Sequence, residues 1–171
     1  GTMTFGMDWG WGSEPEDSVK IIDAYLDRGG NFLDTANMYT KGHSEKIIGD
    51  HLAKNPAKRD RVVIATKCTG NMFLGDPNGG GGGRKAVMQA VEHSLRRLRI
   101  ETIDLLWAHF LDPHTPIEET LRTFDDLVRL GKVRYLGLSD HPAWVCARAH
   151  ELCKYERMAP ISAIQIEYSL A

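Results

Sequence analysis

Cysteine is scarce in this sequence: Cys68, Cys146 and Cys153 are the only three, none lies in a CxxC pair, and an odd number cannot all pair with one another. That argues against a disulfide framework and fits a reducing compartment, so a cytoplasmic location is expected. An excess of one charge is also missing. With 21 Lys and Arg against 23 Asp and Glu the formal net charge is −2, and nothing in that balance draws the chain to nucleic acid or to an anionic membrane. No apolar run approaches the roughly 20 residues that a membrane span needs, and no secretory signal is recognisable. An initiator methionine is absent too, and the strand-like opening Gly1-Thr2-Met3-Thr4-Phe5-Gly6 suggests a fragment of a longer polypeptide.

What remains is an ordinary globular composition. The 171 residues are 42% hydrophobic and 26% charged, enough for one domain with a sizeable core. Apolar bursts of strand length alternate with segments of helical period, the rhythm of repeated β-α units around a parallel sheet. Strands are expected over 1–6, 31–36, 62–67, 103–108, 133–138 and 161–168. The helices between them begin near Ser13, Ser44, Arg84, Thr115 and Pro142. Ser13 with Glu16, and Thr115 with Glu118, have capping-box spacing. Arg96, Arg97 and Arg99 close the third helix, where cations suit the dipole. That count is six strands and five helices, about three quarters of a closed eight-stranded barrel, which takes about 250 residues. An open piece would leave two sheet edges and an apolar inner face, so self-association is expected.

Four of the strands end in a polar residue of a different kind: Asp34, Lys67, His109 and Ser139. In an α/β barrel all carboxyl ends of the strands meet at one face, which carries the chemistry. Asp34, with Tyr39 just downstream, Lys67 and His109 are therefore expected to converge. A phenol exchanges protons poorly at neutral pH, but a nearby ammonium favours its ionised form. Lys67 is the candidate cation, Asp34 its partner, and His109 a donor that orients a substrate oxygen. The set suits a carbonyl that receives hydride and is protonated on oxygen. Because no side chain donates hydride, a cofactor such as nicotinamide is required. Ser139 and Gln165, expected at the same mouth, can hydrogen-bond a carboxamide. Taken singly, each of these residues has an ordinary structural explanation; the set carries the reading.

The motifs have a recognisable source. Phe32-Leu33-Asp34-Thr35-Ala36 with Tyr39, Gly42-His43-Ser44-Glu45, Ala65-Thr66-Lys67 and Asp104-Leu105-Leu106-Trp107-Ala108-His109 together resemble the aldo-keto reductases. Thr115-Pro116-Ile117-Glu118-Glu119, the run from Gly131 to Ser139, and Ile164-Gln165-Ile166-Glu167-Tyr168-Ser169-Leu170 continue that likeness over essentially the whole chain. Asp76-Pro77-Asn78 and Asp140-His141-Pro142-Ala143-Trp144 resemble the branch containing aryl-alcohol dehydrogenases and bacterial reductases of unassigned substrate.

The resemblance implies a TIM (β/α)8 barrel, incomplete over 1–171, and reversible NADPH-dependent reduction of aldehydes or ketones, aromatic aldehydes among them. It implies Tyr39 as general acid/base, assisted by Lys67, Asp34 and His109. Ser139, Asp140 and Gln165 would face the carboxamide, with the backbone of Thr2 and Met3 near the nicotinamide ribose, and Asp34 would also contribute to cofactor binding. Three departures matter. Asp140 replaces the usual Asn and can accept but not donate. Phe110-Leu111-Asp112 replaces the usual Arg-Pro-Asp. Nothing matches strands seven and eight, which bring the 2′-phosphate site, so NAD stays open beside NADP. The alternative is a non-catalytic nicotinamide-binding relative acting as a regulatory subunit or redox sensor.

The remaining candidates are read more plainly. The glycines at 79–83 lack the spacing of a phosphate-binding loop and read as a mobile substrate-side loop. His43, His51, His93, His114, His141 and His150 show no metal spacing. Trp9 and Trp11 fall on the loop after the first strand and are candidates to line an aromatic pocket; Trp144 is equally a surface residue.

Overall fold

A computed structural model describes residues 1–169; Leu170, the last residue of the glutamine motif, lies outside them. The described residues form five parallel strands and six α-helices: α1 (Pro15–Asp27), β1 (Phe32–Asp34), α2 (His43–Ala53), α3 (Pro56–Arg59), β2 (Val63–Cys68), α4 (Arg84–Leu98), β3 (Ile103–Ala108), α5 (Ile117–Arg129), β4 (Val133–Ser139), α6 (Ala143–Tyr155) and β5 (Ile161–Gln165). Strand order in the sheet follows chain order, β1-β2-β3-β4-β5, every pair parallel. This is a half-barrel of β-α units. None of these helices is long and apolar enough to cross a membrane.

The helices form because their apolar residues recur at three and four positions. In α4, Val87, Val91, Leu95 and Leu98 are buried; in α5, Leu121, Phe124 and Leu127. All but Leu98 join Leu106, Leu136 and Leu138 from the sheet in the larger outer core, and Leu98 packs with Ile22, Leu33, Ile48, Leu52 and Ile64 in the smaller one under α1 and α2. Burying a side chain of this size contributes about 1.5–3 kcal/mol relative to leaving it exposed. β2 and β3 read as continuous apolar runs because both of their faces are covered. β3 is buried at every position.

The expected opening strand over 1–6 does not form. Thr2 N–H donates to Asp34 O at the tip of β1, and Phe5 makes an isolated bridge with Ser13. The chain turns back at Gly6, whose φ is +98°, and a segment that reverses this soon cannot lay a ladder along β1. Gly12 is needed for that reversal, since a Cβ there would stand 2.2 Å from the carbonyl oxygen of Gly6. The strand count is therefore five, and a single-turn helix, α3, is added.

Neither expected capping box is made. Ser13 is occupied by the bridge, and α1 begins after Glu14 without a side-chain cap. The Thr115 hydroxyl donates instead to Asp112, 2.7 Å away, and α5 begins after Pro116. The last strand ends at Gln165 rather than 168, and Ile166 and Tyr168 beyond it are exposed.

Candidate active site

Register decides which side chains share a face. Asp34 pairs with Ala65, so Lys67 stands one layer higher, and Lys67 is level with Trp107, Gly137 and Ala163. Side chains alternate across a strand, so all these residues point to the inner face, where Ala65, Leu105 and Trp107 form a small core of their own. The next layer holds His109, whose N–H donates to Cys68 O, and the cross-strand pair Ser139 and Gln165. Asp34, Lys67, His109, Ser139 and Gln165 are thus brought to the carboxyl end of one face. The acid of the histidine motif, Asp104, lies near the opposite end of β3. There it accepts Ile64 N–H and bonds Arg59 and Arg134.

Tyr39 comes from a turn rather than a strand. It opens a 3-10 turn, Tyr39–Gly42, in which Thr40 (φ 46°), Lys41 (φ 55°) and Gly42 (φ 93°) are left-handed in succession. That conformation is unusual for a β-branched residue. It is held because the buried Thr40 hydroxyl donates to Phe5 O at 2.6 Å and accepts Ser44 N–H. Ser44 in turn hydrogen-bonds Thr2 O and Oγ1, and Thr35 Oγ1 lies 2.9 Å from its hydroxyl.

Lys67 is at the centre of the cluster. Its side chain is 1% exposed, and the ammonium donates to Asp34 Oδ2 (2.5 Å), Thr35 O (2.9 Å) and the Tyr39 hydroxyl (3.2 Å). Three acceptors for three donor hydrogens make burial of this cation tolerable. The Tyr39 ring meets the His109 ring edge-on, centroids 5.6 Å apart. Burial, with the nearby Lys67 charge, pushes the His109 imidazole down to about 4, against opposing pulls from Asp140 and Asp34. The ring is therefore neutral at pH 7. Asp34 Oδ1, His109 Nδ1 and Trp107 Nε1 are buried without a partner among the described residues.

The residues expected to face a cofactor divide in two. The Ser139 hydroxyl and the Gln165 amide make no hydrogen bond to another described residue and are free for a ligand. Asp140 is exposed in the left-handed conformation (φ 49°). Thr2 is different: its N–H and hydroxyl both go to Asp34 O and its carbonyl accepts from Ser44, so its hydrogen-bonding groups are already in use. Met3 beside it is exposed.

Aromatic rings flank Tyr39 on two sides. Trp9 meets it edge-on at 6.4 Å and Trp11 lies 5.5 Å from Trp9; Phe110 is 5.3 Å from His109. Trp144 is largely exposed and makes no ring contact here. The glycine run is tied down rather than open. Gly81 N–H donates to Thr69 O, Gly82 N–H to Asp112, and Gly82 O accepts the Thr120 hydroxyl. Two of the N–H groups a phosphate would need are thus taken. His43 pairs with Asp8 and His51 with Asp23.

One contributor escaped sequence reasoning. Glu45 is fully buried, accepts from the Thr66 hydroxyl (2.5 Å) and pairs with Arg97 (2.6 Å). Arg97 is thereby a partner for a buried acid and not only a helix-end cation. No local spacing signals the pair, since 52 positions separate its members.

Known proteins resemble this chain in sequence. The chain is 37% identical to an aryl-alcohol dehydrogenase of Pestalotiopsis microspora, over 99% of the chain and 46% of that protein. It is 36% identical to the norsolorinic acid reductase of Aspergillus flavus, over 100% of the chain and 46% of the relative. An aryl-alcohol dehydrogenase [NADP(+)] of Phanerodontia chrysosporium is 36% identical over 99% and 47%. The chain therefore spans about half the length of the curated relatives it matches. The aldo/keto reductase family model matches all of residues 1–171, and the chain belongs to the aldo/keto reductase family.

Proposed function

We propose that this protein reduces an aldehyde or ketone to the alcohol, reversibly, with NADPH, and that residues 1–171 are one incomplete barrel domain carrying the proton-transfer half of the site. The observation that carries the reading is the hydrogen bond from a buried, acid-paired lysine to the Tyr39 hydroxyl. Hydride for the carbonyl carbon would come from a reduced nicotinamide held at this face. Tyr39 gives its hydroxyl proton to the carbonyl oxygen, and the Lys67 ammonium stabilises the phenolate left behind. Asp34 holds that ammonium in place. His109, neutral at pH 7, donates a hydrogen bond to the same oxygen.

For the cofactor, Ser139 and Gln165 offer one hydroxyl and one amide side by side, which matches a carboxamide needing both a donor and an acceptor. Asp140 would accept from the amide nitrogen. Thr2 serves as a rigid wall rather than a free partner, with the Met3 backbone next to it. NADP is favoured over NAD because one relative carries NADP(+) in its name. Trp9 and Phe110 beside the Tyr39–His109 pair, and the names of the relatives, favour a planar aromatic carbonyl.

The test uses the full-length protein and a panel of aryl and alkyl aldehydes, followed by loss of NADPH absorbance. Tyr39→Phe is expected to lower turnover by about 100-fold or more and leave NADPH binding intact. Unchanged turnover removes Tyr39 as the acid. NADPH binding without turnover on any carbonyl favours the non-catalytic alternative.

A further inference from the structure

Tyr39 and Lys67 stand on different segments, and their side chains meet through the 3.2 Å hydrogen bond and the ammonium lying 4.9 Å from the centre of the phenol ring. A second tie runs behind them, on the helix side of the sheet. Glu45 lies in the first turn of α2, which continues directly from the left-handed turn that carries Tyr39. Its carboxylate accepts from the hydroxyl of Thr66, the residue immediately before Lys67. The same carboxylate pairs with Arg97, and Arg97 packs so closely behind Gly42 that a Cβ there would lie 2.9 Å from Arg97 Cδ. Glu45 is 0% exposed, and so are Thr66 and Thr40.

We infer that Glu45 is a positioning residue: by gripping the Thr66 hydroxyl and Arg97 it sets the distance between the turn that presents Tyr39 and the strand that presents Lys67. The inference rests on the reductase reading above. A left-handed threonine is strained, and such strain persists only where the surroundings over-determine it. The Thr40 hydroxyl's bonds to Phe5 and Ser44 hold the turn from one side, and the Glu45–Thr66–Arg97 clamp adds a constraint from the other. A charge buried this completely is held by short charge-assisted bonds, and these are directional enough to fix a separation. Displacement of reacting groups by about 1 Å is sufficient to slow a reaction up to 10²-fold.

The experiment compares Thr66→Val, which removes the hydroxyl at nearly constant shape, with Thr66→Ser, which restores it, and with Glu45→Gln, alongside Tyr39→Phe. All are measured in the full-length protein, per folded molecule. Thr66→Val and Glu45→Gln are expected to lower kcat about tenfold with KM for the aldehyde and NADPH binding little changed, and Thr66→Ser to recover most of the loss. A clamp that only stabilises the fold would lower Tm and leave kcat alone; that result overturns the inference, as does a rise in KM at constant kcat. If Thr66→Val fails to fold, Glu45→Gln carries the same comparison. Unchanged turnover in Tyr39→Phe overturns the reductase reading and this inference with it, whereas loss in Tyr39→Phe with full kcat in the clamp variants overturns the inference alone.

Discussion

Asp34 Oδ2 lies 2.5 Å from the Lys67 ammonium, and the lysine side chain is 1% exposed. A buried ion pair stabilises little against an apolar replacement of the whole pair, but removing one member leaves an uncompensated charge, which costs about 3–5 kcal/mol. Asp34→Ala is therefore expected to lower unfolding free energy by about that amount, and Asp34→Asn by less, because an amide oxygen still accepts from the ammonium. Urea denaturation of the two variants measures this. A loss below about 1 kcal/mol in Asp34→Ala would mean that Lys67 finds other partners.

Lys67→Met keeps an unbranched apolar stem and removes the charge beside Tyr39. Turnover at neutral pH is expected to fall by about 10²-fold or more, because the phenolate formed on proton release loses its cation. In the reduction direction, where Tyr39 gives up its proton, higher pH should not restore the rate; in the alcohol-oxidising direction, where the phenolate accepts a proton, the rate should recover partially as pH rises. A pH profile of kcat for both proteins tests this, and parallel profiles of similar height would remove Lys67 from the proton transfer.

His109 is pushed down to about 4, chiefly by burial, whereas an unfolded histidine titrates near 6.5. Between these values the unfolded chain binds a proton that the folded one does not. Stability therefore falls as pH drops from about 6.5 toward 4, and is flat above that window for this group. His93 and His141, also lowered by burial, act in the same direction. The ring of His109 should show a neutral imidazole signature by NMR at pH 6. In unfolding experiments at pH 7 and pH 5, His109→Gln should lose less stability than the parent. Protonation at pH 6 would contradict the orienting role assigned to the neutral ring.

Gly137 is level with Trp107 on the inner face, and a Cβ there would meet the indole at 2.3 Å. Gly137→Ala is expected to destabilise by about 1–3 kcal/mol through overpacking. Because Trp107 is the neighbour of Lys67 in the sheet, the variant should also lower turnover. Denaturation midpoints and rates on the same preparation check both effects; a neutral result would mean that the indole rotates away freely.

Trp9 flanks the phenol and is only half-buried. Trp9→Ala is expected to raise KM for aryl aldehydes by about tenfold, one lost aromatic contact of about 1–1.5 kcal/mol, and to leave small alkyl aldehydes little changed. Equal effects on both classes would remove Trp9 from the substrate pocket.

Much of this architecture was legible before any coordinates. Val62 to Lys67 and Ile103 to Ala108 announce buried parallel strands because they are apolar without alternation, and the helices that cover them repeat at three and four. The polar strand ends at Asp34, Lys67, His109 and Ser139 stand out against those runs, and parallel topology makes their meeting a geometric consequence. Local signals misled where a tertiary partner competed for the same group. Thr115 has capping spacing but gives its hydroxyl to Asp112. Ser13 does too, but its backbone is spent on the bridge to Phe5. The opening residues have strand composition but turn back on a glycine.

The amino-acid order by itself determined the β-α rhythm, the family and the four groups that gather at the mouth, because period and strand polarity are local properties that survive translation into one dimension. Only the folded molecule decided that Lys67 is fully buried, that Tyr39 is presented by three successive left-handed residues, that Thr2 has no free hydrogen-bonding groups and that Glu45 is clamped to Arg97. Those facts depend on burial and on contacts between segments far apart in the chain, and the free energy of a charge or a strained turn is set by what surrounds it rather than by its neighbours in sequence.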